Sequence, residues 1–247
     1  MSVASRLCAA ARTLAREVGA LRFGAPVSCV YNPLDYAWAG HAAYLKKYAD
    51  STKRVIYLGM NPGPFGMAQT GVPFGEIAAV RDWLGIEVEV GRPKPEHARR
   101  PVDGFACTRS EVSGKRLWGA VAARYGRPER FFASALVLNY CPLMFMEASG
   151  RNRTPDKLPA AERIPLFDAC DRHLRRAAAI LEPRWVVGVG EFAAARAREA
   201  GLSADVQIGR ILHPSPANPG ANRDWEGIVE RELRALGLCP DAACQPG

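Results

Sequence analysis

Val55-Ile56-Tyr57-Leu58 runs directly into Gly59-Met60-Asn61-Pro62-Gly63-Pro64-Phe65-Gly66-Met67-Ala68-Gln69-Thr70-Gly71-Val72-Pro73-Phe74-Gly75. The first four residues are β-branched, aromatic or aliphatic, the pattern of a strand buried on both faces. The alternating Gly and Pro that follow turn the backbone sharply and continue as neither sheet nor helix. A strand that ends this way places its next residues at the carboxyl edge of an α/β sheet, where ligands bind. An ordinary βα connection needs neither this length nor two phenylalanines.

Three further runs resemble that first strand: Ala135–Leu138, Trp185–Val189 and Val206–Leu212. Helical patterns separate them, at Glu76–Leu84, Val112–Tyr125, Ala160–Leu181 and Phe192–Ala200, with a last one at Trp225–Leu236. Strand–helix alternation without hairpin dipeptides predicts an α/β fold with a mainly parallel sheet covered by helices on both faces. No repeat or composition break divides the 247 residues, so one domain over 1–247 is expected. The breaker-rich segments are Gly91–Gly104 and Ser149–Pro159, plus a polar tail at Pro240–Gly247. Residues 1–22 are Ala- and Arg-rich, faintly like a transit peptide. The spacing of Leu7, Ala11, Leu14, Val18 and Leu21 favours an amphipathic first helix instead.

With 48% hydrophobic residues the chain is able to bury a large core. Lys and Arg number 33 against 25 Asp and Glu, a net charge of +8. That charge fits a polyanionic partner and fits scattered surface charge equally well. The seven cysteines are dispersed with no CxxC pair, which speaks against a zinc site or a four-cysteine iron–sulfur cluster and for a reduced, intracellular compartment. No apolar run approaches the ~20 residues of a membrane span. Val187-Gly188-Val189-Gly190 lacks the full dinucleotide-binding spacing, and no GxxxxGK[ST], GxSxG or HExxH occurs.

Polar residues beside Pro or Gly follow three of the strands: Asn61, Asn139 and His213. Singly, each has a plain explanation, since Asn forms turns and a lone His is commonly a hydrogen-bonded surface or core residue. In a parallel sheet the three ends share one edge, so the side chains are expected to converge on one pocket.

The Gly59–Gly75 run, together with His213-Pro214-Ser215-Pro216-Ala217-Asn218-Pro219-Gly220-Ala221-Asn222, closely resembles the single-strand-selective monofunctional uracil-DNA glycosylases. Val30-Tyr31-Asn32-Pro33-Leu34-Asp35-Tyr36-Ala37, Ser110-Glu111-Val112-Ser113-Gly114 and Ser149-Gly150-Arg151-Asn152 extend the resemblance, which covers about Leu14 to Leu238. It implies a three-layer α/β/α sandwich around a four-stranded parallel sheet. It implies hydrolysis of the N-glycosidic bond of uracil, and of some 5-substituted uracils, in single- and double-stranded DNA. The base is flipped and no cofactor or metal takes part. Mismatch-type action on thymine, xanthine or hypoxanthine, or an inactive DNA-binding relative, are the alternatives.

On the same resemblance Asn61 positions the water and His213 donates to uracil O2. Phe74, which is otherwise a core aromatic, stacks on the base, and Asn139 reads N3–H and O4. Met60 and Gly63 line the water and C5 side. Pro214, Ser215, Pro216, Ala217, Asn218 and Arg223 fall in the segment that enters the duplex, with Asp224 admissible there as a helix cap. A monomer is expected, in cytoplasm or nucleoid if bacterial and in the nucleus if eukaryotic. Because Asn61 is an amide, no carboxylate ionisation is expected to control the rate at its position, and His213 is expected to supply any titration near neutrality. The lysines lie away from the three strand ends in sequence, which argues for a glycosylase without lyase activity.

Overall fold

A computed structural model describes residues 1–238. The polar tail expected at 240–247 lies outside the described residues. The chain runs α1 (Val3–Gly19), β1 (Val27–Tyr31), α2 (Pro33–Tyr36), α3 (Trp38–Tyr48), β2 (Val55–Gly59), α4 (Met67–Thr70), α5 (Val112–Tyr125), α6 (Pro128–Phe132), β3 (Ala135–Asn139), β4 (Met144–Glu147), β5 (Asn152–Arg153), α7 (Ala160–Leu181), β6 (Trp185–Val189), α8 (Glu191–Glu199), β7 (Gln207–Ile211) and α9 (Ala221–Ala235).

The four expected strands form a parallel sheet in the order β3-β2-β6-β7. In β2, β3 and β6 the central residues are buried on both faces, which is why they read as continuous apolar runs, whereas the edge strand β7 keeps Gln207 and Arg210 exposed. Tyr57, Val137 and Ile211 line a groove with Leu117 and Val121 of α5 and Trp225 and Val229 of α9, so those helices cover one face. On the other face Gly188 lies so close to the α8 backbone at Ala194 that a side chain there would overlap it. The sheet is thus flanked by helices on both sides. α1 begins at a Ser2 cap, whose hydroxyl accepts the Ser5 N–H at 3.2 Å, and it buries Leu7, Ala11, Leu14 and Val18 as its spacing predicts.

A second, antiparallel sheet, β1-β4-β5, joins segments in which the sequence showed no strand pattern. Its β4–β5 hairpin turns through Gly150 at φ 78°, within a segment read from sequence as irregular. The helix expected at Glu76–Leu84 shrinks to a π-helical turn at Ala79–Trp83. There the Glu76 carboxylate accepts the Ala79 N–H at 2.9 Å. Among the described residues no helix is long and apolar enough to cross a membrane.

Candidate active site

The parallel register aligns Gly59 at the end of β2 with Asn139 at the end of β3. The pairing continues past the strands, with Tyr140 N–H donating to Gly59 O and Cys141 N–H to Met60 O, both at 2.9 Å. Asn61 comes next and donates from Nδ2 to the Leu143 carbonyl at 3.1 Å. That bond fixes the amide plane and leaves Oδ1 as the acceptor for a water. Asn139 donates from Nδ2 to the Met67 thioether at 3.2 Å, a weak acceptor that a better one would displace. Tyr140 donates to Asp171 at 2.7 Å and accepts from Arg196 at 2.9 Å, which ties the end of β3 to α7 and α8.

Phe74 is 8% exposed and holds φ at 52°, a left-handed conformation that costs a bulky residue energy. Its ring rests on the Cα of Gly59, where an added Cβ would come 2.6 Å from Cε2 and would also collide with Asn139 Oδ1. Glycine at the strand end therefore lets the ring and the amide approach each other. The Phe74 ring centroid lies 6.0 Å from that of His213, with the planes tilted by 41°.

His213 follows β7 and packs with its Cβ against Gly190, which sits at the end of β6 with φ 95°. The Gly188 and Gly190 pair that invited comparison with a dinucleotide loop thus seats α8 on the sheet and His213 on the strand ends. His213 Nδ1 accepts the Ser215 N–H at 3.0 Å. A backbone N–H only donates, so Nδ1 is unprotonated and Nε2 carries the hydrogen. Burial alone pushes His213 down to about 4. The expectation that His213 titrates near neutrality is therefore corrected: it stays neutral there because its charged form is poorly solvated.

The loop after His213 is braced from α5. Arg116 donates to Pro214 O and to Asn222 Oδ1, each at 3.0 Å, and Asn222 donates to Pro216 O at 2.8 Å. Pro214 is buried beneath the loop, Ser215 and Asn218 are half-buried, and Pro216, Ala217 and Arg223 are exposed. The Ser215 and Asn218 side chains accept local N–H groups, from Ala217 at 3.2 Å and Gly220 at 3.1 Å. Asp224 breaks the helical backbone (φ −156°, ψ 72°) and accepts the Gly227 N–H at 2.9 Å, so it does cap the segment beginning at Trp225.

Asn61, Asn139, Phe74 and His213 thus gather at the carboxyl edge, with Met60 in the same loop, whereas the backbone of Gly63 packs against the Glu111 carboxylate. Sequence reasoning did not single out Gly59, Met67, Leu143 or Arg116 as site residues, and it placed Ser215 in the duplex-entering segment without its bond to His213. Lys53 lies at the amino end of β2, 1% exposed, donating to Phe132 O at 2.6 Å and Asp50 at 3.0 Å. Among the described residues no group of three or more His, Cys, Asp or Glu is placed to hold a metal ion.

A family model described as the uracil DNA glycosylase superfamily matches residues 45–233. The chain belongs to the uracil-DNA glycosylase superfamily. It is 51% identical over 226 residues to the single-strand selective monofunctional uracil-DNA glycosylase of Rattus norvegicus, covering 91% of this chain and 81% of that protein. The Mus musculus protein of the same name is 50% identical with the same coverage. The fold matches the crystal structure of wild-type Pedobacter heparinus SMUG2 with a TM-score of 0.66 at 17% identity, over 96% of this chain and 97% of that one. By this membership the chain is a glycosylase-class hydrolase of N-glycosyl bonds and a DNA-repair protein.

Proposed function

We propose that the protein excises uracil, and uracils with small 5-substituents, from DNA and leaves an intact strand with an abasic site. The observation that carries this reading is the convergence of Asn61, Asn139, Phe74 and a neutral His213 on one edge of the sheet.

The N1–C1′ bond breaks with its electron pair moving into the base, so the sugar gains oxocarbenium character and uracil gains negative charge. Reaching that bond requires the nucleotide out of the stack. The flipped base stacks on Phe74. Asn139 accepts N3–H with Oδ1 and donates to O4 with Nδ2, giving up its contact with Met67. His213 Nε2–H donates to O2, where charge develops, and a fixed donor of this kind is worth about 10²–10³ in rate. Asn61 Oδ1 accepts from a water aimed at C1′. An amide takes no proton, so water adds to a carbocation already formed, its proton passes to bulk solvent, and the uracil anion is protonated as it leaves.

The exposed Pro216 and Ala217 fill the gap left by the flipped base, and Arg223 contacts a phosphate. Unstacking costs less in a single strand, so single strands are the faster substrates and duplexes are also processed. The protein acts as a monomer, as one chain holds every named group, and without a metal or other cofactor. It works inside the cell, where its DNA substrate is.

The test is single-turnover excision from oligonucleotides carrying uracil, 5-hydroxymethyluracil, thymine, xanthine or hypoxanthine, single-stranded and paired. Uracil is expected to react fastest. Preference for another base would move the protein to a mismatch-type specificity, and no excision of any base would leave a DNA-binding relative.

A further inference from the structure

Behind the catalytic loop lies a carboxylate that the proposed reaction does not use. Gly66 N–H bonds to Gly63 O at 3.4 Å, which closes the turn that follows Asn61 and Pro62. The Glu111 side chain comes up beneath both glycines. A Cβ at Gly63 would collide with Oε1, and one at Gly66 with Oε2. Glu111 Oε2 is shut off from solvent and has no hydrogen-bond partner, although part of the residue remains exposed. An ionised carboxylate in such a place normally carries a cation or several donors. Among the described residues Glu111 makes no ion pair.

We infer that Glu111 is a positioning residue that supports the Asn61 loop as a neutral carboxyl, and that its ionisation places an unpaired negative charge behind Gly63 and slows departure of the anionic base. The inference rests on the uracil-excision reading. Burial first, and the neighbouring Glu76 second, raise Glu111 to about 7, so the switch falls in the neutral range.

The groups around Glu111 supply no compensating charge. From the loop side comes the backbone of Gly63 and Gly66, and the guanidinium of Arg109, two residues before Glu111, stacks on the Phe65 ring 3.9 Å from its centroid, with Arg100 at 5.6 Å. Glu76 stands before the π-helical turn and is held by the Ser110 hydroxyl at 2.7 Å and the Ala79 N–H at 2.9 Å. Lys115, one turn along α5, is exposed. His213 is neutral throughout this range. Among the described residues the charge that raises Glu111 is that of Glu76, and it is negative.

The experiment is the single-turnover rate on a single-stranded uracil oligonucleotide from pH 6 to 8.5, at constant salt, for wild type, Glu111→Gln and Glu76→Gln. Wild type is expected to lose about tenfold in rate across the range. The ratio of the pH 6 rate to the pH 8.5 rate should fall close to one in Glu111→Gln. In Glu76→Gln the decline should start at lower pH, because removing that charge makes Glu111 easier to ionise. A wild-type rate without the decline, or the same decline in Glu111→Gln, overturns the inference. If Glu111→Gln does not fold, Glu76→Gln decides, and an unshifted decline counts against it. Wild type inert at every pH would overturn the excision reading itself.

Discussion

His213 accepts a hydrogen bond from the Ser215 backbone N–H at Nδ1, 3.0 Å away, and so carries its own N–H on Nε2. The proline-rich HPSP turn thus does more than leave the sheet: it sets the tautomer. With burial holding the ring at about 4, the neutral ring with its Nε2–H persists through neutrality; as pH falls through that value Nδ1 gains a proton, Nε2–H remains, and the bond accepted from Ser215 is lost. The His213 ring proton should therefore titrate in NMR with a midpoint near 4. A midpoint near the ordinary ~6.5 would contradict the buried, neutral donor.

Gly59→Ala should misplace two recognition groups at once, since the added methyl meets both the Phe74 ring and the Asn139 amide. Displacement by about an ångström is worth on the order of 10² in rate. Uracil excision by Gly59→Ala should fall by that order, with uracil affinity falling too. A wild-type rate in this variant would mean that the two side chains do not need their present spacing.

Acid should loosen the fold through His41. It is 5% exposed and donates from Nδ1 to Gly71 O at 3.0 Å, and burial lowers it to about 4. The folded state then holds fewer protons than the unfolded state between about 6.5 and 4. Stability is complete above that window and is lost as pH falls through it, by at most about 3 kcal/mol for this residue. His173, also lowered to about 4 and with Nδ1 unpartnered, adds in the same direction. Melting temperature measured from pH 7.5 to 4.5 should drop, with a shallower drop in His41→Gln. Equal slopes in the two proteins would remove His41 from the explanation.

How far the residues alone reveal this site depends on what each contact needs. The parallel strands were legible because burial on both faces leaves uninterrupted apolar runs such as Val55–Leu58. The β1–β4 pairing was not, because it joins distant segments: Ser28 Oγ bonds to Met146 O across 118 residues. Asn61, Asn139 and His213 stood out as polar residues at strand ends. Their supports did not, because the Leu143 carbonyl and the Ser215 amide act through backbone atoms that every residue type carries. The same holds for Gly59, whose importance lies in what approaches it, and for the Glu111 carboxylate behind Gly63.

Arg116→Ala should free the loop that follows His213, since it removes both bonds from α5 to Pro214 and Asn222. Each such bond is worth about 1 kcal/mol. DNA affinity should weaken several-fold while the affinity for free uracil stays close to that of wild type. A Kd for DNA unchanged in Arg116→Ala would show that the loop holds its shape without the brace.

The account stands or falls on Asn61 and its water. Free uracil released from a single-stranded oligonucleotide under single-turnover conditions, by wild type and by Asn61→Ala, is the most direct measure. Wild type should release uracil and leave an uncut, alkali-labile strand, with no protein–DNA band after borohydride. Asn61→Ala, with its melting temperature preserved, should be slower by about 10²–10³, the order expected for one lost positioned group. Equal rates in the two proteins, or no uracil from wild type, would contradict the account.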